Sequence, residues 1–247
     1  MSVHHADIRT YVWHPSAPNP DSALEVLRTR ANNQHIAVDT DSLAVPRSAH
    51  RECAKIRFDS QILLGHSWHG FADTIRAKAG RVDVLINCAG YYPIVPFEKM
   101  TFGEWQQIIA INLSGAFLMV SSLLPMMKGR GWGRIINIAS ASVFEGVVGQ
   151  THYVAAKNGL VGFSRSLAME VGDYGITVNC VAPGLTVTAP VRRGMSASLI
   201  DGQRAMRALK RDEQPEDLAG PVFFLASPEA NFMSGQMLVV DGGKIKN

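Results

Sequence analysis

The fold is decided by the stretch Arg81-Val82-Asp83-Val84-Leu85-Ile86-Asn87, which is followed by Cys88-Ala89-Gly90. A nearly continuous apolar run that stops at small residues is typical of a strand buried on both faces of a parallel sheet. Similar runs occur at residues 134–140, 177–182 and 237–240, and helix-like segments separate them. The order β-α-β-α-β-α-β predicts an α/β fold: a doubly wound, mostly parallel, Rossmann-like sheet with helices on both faces.

The segment after the first run predicts a long helix over residues 101–127. Thr101 and Glu104 have the spacing of a capping box, and an apolar stripe follows them. Asn112 lies in the middle of that stripe, where an unpaired amide would cost about 1–3 kcal/mol. Asn112 is therefore either bonded to the backbone or part of a buried polar network.

Composition and charge fit one globular domain over residues 1–247. The net charge of +3 comes without a long run of Lys or Arg, so we expect no nucleic-acid partner. The three cysteines lack the spacing of metal ligands and are too few for a disulfide framework. No signal peptide is evident, and no apolar run approaches the length of about 18 residues that a membrane span needs. We therefore expect a cytoplasmic protein without a metal or a membrane segment.

Residues 1–69 differ from the rest of the chain. They hold seven of the eight histidines and one of the 22 glycines. A short helix at residues 21–30 and strands at residues 35–38 and 55–58 are the elements that this region predicts. The histidines show no H-x-x-x-H or Cys/His pairing, which argues against a metal site.

Tyr153 and Lys157 are the residues most indicative of chemistry. Their four-residue spacing places both side chains on one face of a helix, where a cation next to a phenol lowers the pKa of the phenol. Ser140, thirteen residues before Tyr153, ends a strand. Because parallel strands bind ligands beyond their carboxyl ends, Ser140 and Tyr153 are expected to meet there, together with Asn87 and the Pro183-Gly184 pair.

These residues resemble the short-chain dehydrogenase/reductase family over about residues 70–247. The resemblance rests on Asn87-Cys88-Ala89-Gly90, on Asn112, on the Ser140, Tyr153 and Lys157 set, and on a C-terminal segment ending in Val240-Asp241-Gly242-Gly243. Residues 91–97 and 131–136 are further similar to 1-phenylethanol dehydrogenases and to relatives of the 3-oxoacyl-ACP reductase type.

The resemblance implies an NAD(P)-dependent oxidoreductase acting on a secondary alcohol or ketone. Tyr153 would exchange the proton, Ser140 would polarise the substrate oxygen, Lys157 would lower the pKa of Tyr153 and hold the nicotinamide ribose, and Asn112 would anchor a water relay. NAD or NADP is the implied cofactor. The residues implied to contact it are Asn87, Ala89, Gly90, Tyr153, Lys157, Pro183, Gly184 and Thr188. A homo-oligomer, either a dimer or a tetramer, is also implied, with the helices over residues 101–127 and 152–172 pairing between subunits.

The departure from the family is in the N-terminal part. The family's first strand leads into a Gly-rich turn that cradles the cofactor pyrophosphate at a helix N-terminus, and residues 1–69 contain no such turn. The only Gly-containing candidate, residues 65–70, has the wrong spacing and position. The explanations are a shifted reading frame in the coding DNA, a diverged N-terminal half that still folds, or a faulty gene prediction. A non-catalytic protein that cannot bind the dinucleotide normally is the alternative function.

Overall fold

A computed structural model describes residues 10–13, 38–39, 55–56 and 68–246 of the 247-residue chain. Its main sheet has five strands in the order β1-β4-β5-β6-β7. Their bounds are β1 Thr10–Trp13, β4 Val84–Asn87, β5 Gly133–Ile138, β6 Ile176–Pro183 and β7 Met237–Val240. Two short strands, β2 Val38–Asp39 and β3 Lys55–Ile56, pair antiparallel in a second sheet.

Seven α-helices lie among the described residues. They are α1 Trp68–Ala79, α2 Phe102–Ile109, α3 Gly115–Met127, α4 Thr151–Val171, α5 Ala189–Gly194, α6 Ala197–Met206 and α7 Glu216–Ala226. The helix predicted at residues 21–30 lies outside the described residues.

Strands β4 to β7 are parallel, which confirms the predicted α/β sheet. The first of them is shorter than predicted, because the Val82 N–H donates to the Met126 carbonyl instead of joining the ladder. Strand β1 runs antiparallel to β4, with Thr10 opposite Asn87 and Trp13 opposite Val84. The chain therefore leaves β1 beside the amino end of β4.

Two apolar layers flank the sheet, as alternating strand residues require. Leu85, Ile135 and Val178 belong to one core with residues of α1, α3 and α4. Val84, Ile136 and Val181 belong to another core with Leu225 of α7. This arrangement confirms helices on both faces.

The predicted helix over residues 101–127 is interrupted. Its capping box is present, since Thr101 Oγ1 accepts from the Glu104 N–H and the Glu104 carboxylate accepts from the Thr101 N–H. A π-helical turn, Ala110–Ser114, then separates α2 from α3. Phe102–Met127 is also apolar enough to pass as a membrane span, at a mean hydropathy of 1.8 over one window, contrary to the expectation from the sequence. Core helices of globular domains pass the same test, and the inner side of α3 packs into the core.

Candidate active site

The site lies at the carboxyl edge of the sheet. Asn87 ends β4, Pro183 ends β6, and Ser140 follows β5 by two residues in extended conformation. Tyr153 lies in the first turn of α4, which begins ten residues after Ala141. The structure thus brings together the strand ends and the helix that the sequence predicted would meet.

Lys157 lies one turn after Tyr153 and is almost fully buried, with 2% of its surface exposed. Its ammonium donates to the Ile138 carbonyl at 2.7 Å and to the Ala89 carbonyl at 3.5 Å. The Nζ atom lies 5.8 Å from the centre of the Tyr153 ring. The backbone of β5 and the Asn87–Gly90 segment therefore fix the position of this cation.

The acid–base properties of this pair differ from the prediction. Burial raises the pKa of Tyr153 to about 12, although the residue is only partly buried as a whole, and the hydrogen bond with Ser140 opposes this rise. Burial also lowers the pKa of Lys157 to about 8. The predicted lowering of the Tyr153 pKa is wrong for this structure, because desolvation raises this pKa by more than the Ser140 hydrogen bond lowers it.

Ser140 is held by a residue that the sequence did not single out. The Ser140 hydroxyl oxygen accepts from the Ser142 hydroxyl at 2.9 Å and from the Ser142 N–H at 3.2 Å. These contacts place the Ser140 oxygen as the N-cap of the short helical turn Ala141–Phe144. With its acceptor capacity occupied by Ser142, the Ser140 hydroxyl can act only as a donor, toward Tyr153 as in this structure or toward a substrate oxygen.

Asn112 is bonded to the backbone, which was the first of the two alternatives. Its amide donates to the Tyr91 carbonyl at 2.9 Å and to the Ile108 carbonyl at 3.0 Å, and its oxygen accepts from the Tyr91 N–H at 3.3 Å. Asn112 therefore ties the π-helical turn to the loop that follows β4. The water relay implied for Asn112 stays a prediction.

Asn87 begins a buried polar chain beneath the site. Its amide donates to Asn137 of β5 at 2.8 Å, and the Asn137 amide donates to Ser164 of α4 at the same distance. The Asn87 oxygen is buried and has no hydrogen-bond partner among the described residues. Sequence patterns did not reveal Asn137 or Ser164, because their roles depend on contacts between distant segments.

Pro183, Gly184 and Thr188 lie together after β6. A Cβ on Gly184 would come within 2.7 Å of the Glu213 carboxylate and 2.9 Å of Asp241, so the close approach of these side chains requires glycine. Thr188 forms the N-cap of α5, accepting from the Val191 N–H. Their contact with a nicotinamide remains a prediction.

Glu213 is a further residue that sequence reasoning missed. Its buried carboxylate accepts from Thr186 at 2.7 Å and from the Gly184 N–H at 3.2 Å, and it lies 3.6 Å from the Arg207 guanidinium. Burial raises the pKa of Glu213 despite this cation. The pair holds the loop after β6 against the segment before α7.

Three apolar side chains in the segments after β4 and β6 differ in their relation to the site. The Tyr92 ring lies 5.8 Å from the Tyr153 ring, so it borders the site. Phe97 is 72% exposed, and Val187 is buried in a small core with Val191 and Ile200. Neither Phe97 nor Val187 is shown to contact the site.

Lys157 and Asn87 each have a hydrogen-bonding group that could bind the nicotinamide side of a dinucleotide. Two of the three Lys157 ammonium hydrogens are directed at backbone carbonyls, which leaves one for a ribose hydroxyl. The Asn87 oxygen is a buried acceptor without a partner in the described part of the chain. The nicotinamide side of NAD or NADP therefore fits these residues.

The described residues do not offer a comparable site for the pyrophosphate of the dinucleotide. Because β1 is antiparallel, the chain leaves this strand at Trp13, beside Val84, on the edge opposite to Tyr153. A turn at this position cannot present its N–H groups to a pyrophosphate at the carboxyl edge. Within residues 68–246 and the three short strands, no turn has the glycine spacing of the family's pyrophosphate-binding turn.

No metal centre is evident in the described residues: they contain no group of three or more His, Cys, Asp or Glu side chains that could hold an ion. Six of the seven N-terminal histidines lie outside the described residues, and only the backbone of His69 is described.

Comparison with known proteins identifies the family. The family model described as "Enoyl-(Acyl carrier protein) reductase" matches residues 45–244, which begins earlier than the resemblance noted above. The 3-oxoacyl-(acyl-carrier-protein) reductase FabG of Salmonella typhimurium is 42% identical over 175 residues, covering 69% of this chain and 70% of the relative. Acetoacetyl-CoA reductase of Cupriavidus necator is 40% identical over 171 residues, covering 69% of each.

A solved structure agrees with these relatives. A short-chain dehydrogenase/reductase from Burkholderia xenovorans superposes with a TM-score of 0.67 at 34% identity, covering 72% of this chain and 70% of that one. Together with the Ser140, Tyr153 and Lys157 arrangement, these matches show that the chain is an oxidoreductase of the short-chain dehydrogenase/reductase family.

Proposed function

We propose that this protein transfers hydride between NAD or NADP and a secondary alcohol or ketone. The observation that carries the proposal is the hydrogen bond between the Tyr153 and Ser140 side chains, with the Lys157 ammonium one turn away. Two neighbouring hydroxyls can bind a single carbonyl oxygen from two directions. The names of the relatives, which include an acetoacetyl-CoA reductase and a 3-oxoacyl-(acyl-carrier-protein) reductase, favour a ketone of the 3-oxoacyl type.

The chain's own residues handle the proton. The nicotinamide supplies the hydride when it is bound. Ser140 donates a hydrogen bond to the substrate oxygen, and Tyr153 donates the proton that this oxygen gains during reduction. Since the pKa of Tyr153 is about 12, its phenol carries that proton at neutral pH, which suits the reducing direction. Lys157 and Ser140 then stabilise the phenolate that remains.

The position of Tyr92 is also compatible with an aromatic ketone as the substrate. Its ring borders Tyr153, and rings stack on rings at such distances. We further propose a cytoplasmic location and a homo-oligomer, without a nucleic-acid or membrane partner, as the sequence predicts.

Cofactor binding tests the proposal first. NADH and NADPH are titrated separately against the purified protein, with nucleotide fluorescence and thermal shift as readouts. We expect saturable binding of at least one of them. Turnover is then followed by the absorbance of the reduced nicotinamide with acetoacetyl-CoA and with acetophenone. Tyr153→Phe should abolish turnover while leaving cofactor binding within about threefold, since it removes the proton donor and keeps the ring and the other residues implied to contact the cofactor.

The second candidate is a non-catalytic protein that retains the family's sheet. The antiparallel direction of β1 is the specific observation in its favour, because it removes the turn that would bind the pyrophosphate. Absence of fluorescence change and of thermal shift at millimolar NADH and NADPH would support this candidate and overturn the enzymatic one.

A further inference from the structure

The N-terminus of α4, which carries Tyr153, is capped in an unusual way. The first N–H groups of a helix have no partner within the helix, and the residue at the N-cap usually supplies one. Here Gln150 occupies the N-cap and makes no side-chain capping bond. The Tyr153 N–H instead donates to Nδ1 of the neighbouring His152 at 2.9 Å. The imidazole therefore replaces the missing cap.

His152 is buried completely, at 0% exposure. Its second ring nitrogen, Nε2, is also buried and has no hydrogen-bond partner among the described residues. Among the described residues, the charged side chain that acts on the ring is Glu104, in the first turn of α2, which packs against α4. The carboxylate of Glu104 is itself occupied by the capping box with Thr101.

The cap exists in one protonation state only. An imidazole nitrogen that accepts a hydrogen bond carries no proton, so the neutral ring holds its hydrogen on Nε2. Protonation of Nδ1 would remove the acceptor and leave a charge in a buried position. Burial lowers the pKa of His152 below its usual value of 6.5, against the opposing effects of the Gln150 backbone carbonyl, which would accept from the protonated ring, and of the Glu104 charge.

We propose that His152 is a positioning residue: its neutral imidazole fixes the first turn of α4, and with it Tyr153, and its protonation in acid releases that turn. Only the link to turnover rests on the proposed function. The link between the imidazole and the helix N-terminus can be tested on the protein without cofactor or substrate.

Two substitutions separate the cap from the burial of the ring. His152→Asn keeps an acceptor oxygen close to the position of Nδ1 and cannot titrate. His152→Leu has a similar size and no acceptor. Should the leucine variant fail to fold, His152→Gln replaces it, because its polar atoms lie one bond further from the backbone.

Amide hydrogen exchange at Tyr153 is the primary measurement, resolved by NMR and corrected for the intrinsic effect of pH. In the wild type, we expect protection above pH 7 and its loss as the pH falls below about 6.5, the ordinary pKa of histidine. The asparagine variant should keep its protection across this range. The leucine variant should exchange about fivefold faster at every pH, which corresponds to a cap worth about 1 kcal/mol.

Stability supplies the second readout. Because the pKa of His152 is lower in the folded than in the unfolded protein, the unfolded state binds more protons as the pH falls through 6.5, and the folded state loses stability. The wild type should therefore lose stability relative to His152→Asn in acid. If turnover is found, its acid limb should disappear in His152→Asn.

Unchanged protection of the Tyr153 amide in the variant without an acceptor would overturn the proposal, as would an acid response of His152→Asn equal to that of the wild type. Failure of the protein to bind NADH or NADPH would overturn the proposed function and leave the exchange result unaffected.

Discussion

Lys157 shows how a single residue combines two conflicting demands. Its ammonium lies among buried groups, where a charge is unfavourable, and two backbone carbonyls partly compensate for the lost water. The resulting pKa of about 8 keeps the side chain mostly charged at neutral pH, at a cost in free energy. The cost falls at the position where the proposed reaction requires a cation beside the Tyr153 phenolate.

Because burial lowers the pKa of Lys157, we expect this residue to make the stability of the protein depend on pH. The pKa of Lys157 is about 8 in the folded protein and 10.5 for the free side chain. Between these values the unfolded state binds more protons, so the stability contributed by this residue rises with pH. Relative to Lys157→Met, the wild type should gain about 1–3 kcal/mol between pH 8 and pH 10 in urea unfolding. A difference that stays constant or falls with pH would contradict the assignment.

Individual site residues could be predicted where a short stretch of sequence contains the whole pattern. Tyr153 and Lys157 stand one helical turn apart, and Ser140 ends an apolar run, so short patterns sufficed to find them. Ser142 and His152 were missed because each acts on a neighbour whose geometry depends on the fold. The direction of the Tyr153 pKa was predicted wrongly, since spacing shows a nearby cation and does not show desolvation.

Among the elements, the turn between α4 and β6 is the most constrained. Gly175 adopts a left-handed conformation at φ 70°, and its carbonyl accepts from the Gly133 N–H at 3.1 Å. A Cβ on Gly175 would lie 2.1 Å from the Gly131 carbonyl oxygen. The hydrogen bond between Gly133 and Gly175 joins the amino ends of β5 and β6, and it thereby sets the register of these two neighbouring strands.

We expect Gly175→Ala to destabilise the protein by about 3 kcal/mol or more, because the substitution adds a backbone clash to the cost of a left-handed residue. Gly172→Ala is the matched control. Gly172 has helical geometry, with no atom within 4 Å of a Cβ, so this change should be neutral or slightly stabilising. Free energies of unfolding in urea measure both, and equal effects would exclude the clash as the cause.

The capping box of Thr101 and Glu104 could be predicted because four consecutive residues contain the whole signal. The π-helical turn at Ala110–Ser114 could not be predicted in this way. It coincides with the bonds from Asn112 to Tyr91, twenty-one residues earlier, and no local propensity indicates such a contact. Apolar runs likewise revealed β4 to β7, while the exact start of β4 depended on Met126 of a distant helix.

At the scale of the whole molecule, Phe117 and Phe163 form a solvent-accessible aromatic pair on the two helices that are predicted to associate. Phe117 of α3 is 54% exposed and packs edge-on against Phe163 of α4, with ring centres 6.4 Å apart. These are the two long helices predicted to pair between subunits. Exposed apolar clusters of this kind mark contact surfaces in globular proteins.

Sedimentation tests this association. The wild type should sediment as a dimer or tetramer, and Phe117→Glu should shift it toward the monomer, because the charge would be buried in the interface. Phe232→Glu, at a fully exposed phenylalanine outside both helices, should leave the assembly unchanged. A monomeric wild type, or equal effects of both variants, would refute the predicted interface.

At the largest scale, the doubly wound architecture and the family could be predicted from residues 70–247, while the direction of β1 could not. Strand direction depends on which neighbour pairs with the segment, and Thr10–Trp13 shows no pattern that distinguishes the two directions. The missing Gly-rich turn was evident from the sequence. Only the structure shows that β1 ends at the edge of the sheet opposite to the site.

The direction of β1 sets a limit on how this protein could be engineered. Glycines introduced directly after Trp13 would follow a strand end that lies beside Val84, at the amino end of β4 and not at the carboxyl edge that carries the site. Point mutation around this strand therefore cannot supply a phosphate cradle. A chimera could: it would exchange the whole leading segment for one whose strand runs alongside β4 in the same direction, so that the transplanted loop opens above the nicotinamide side already present.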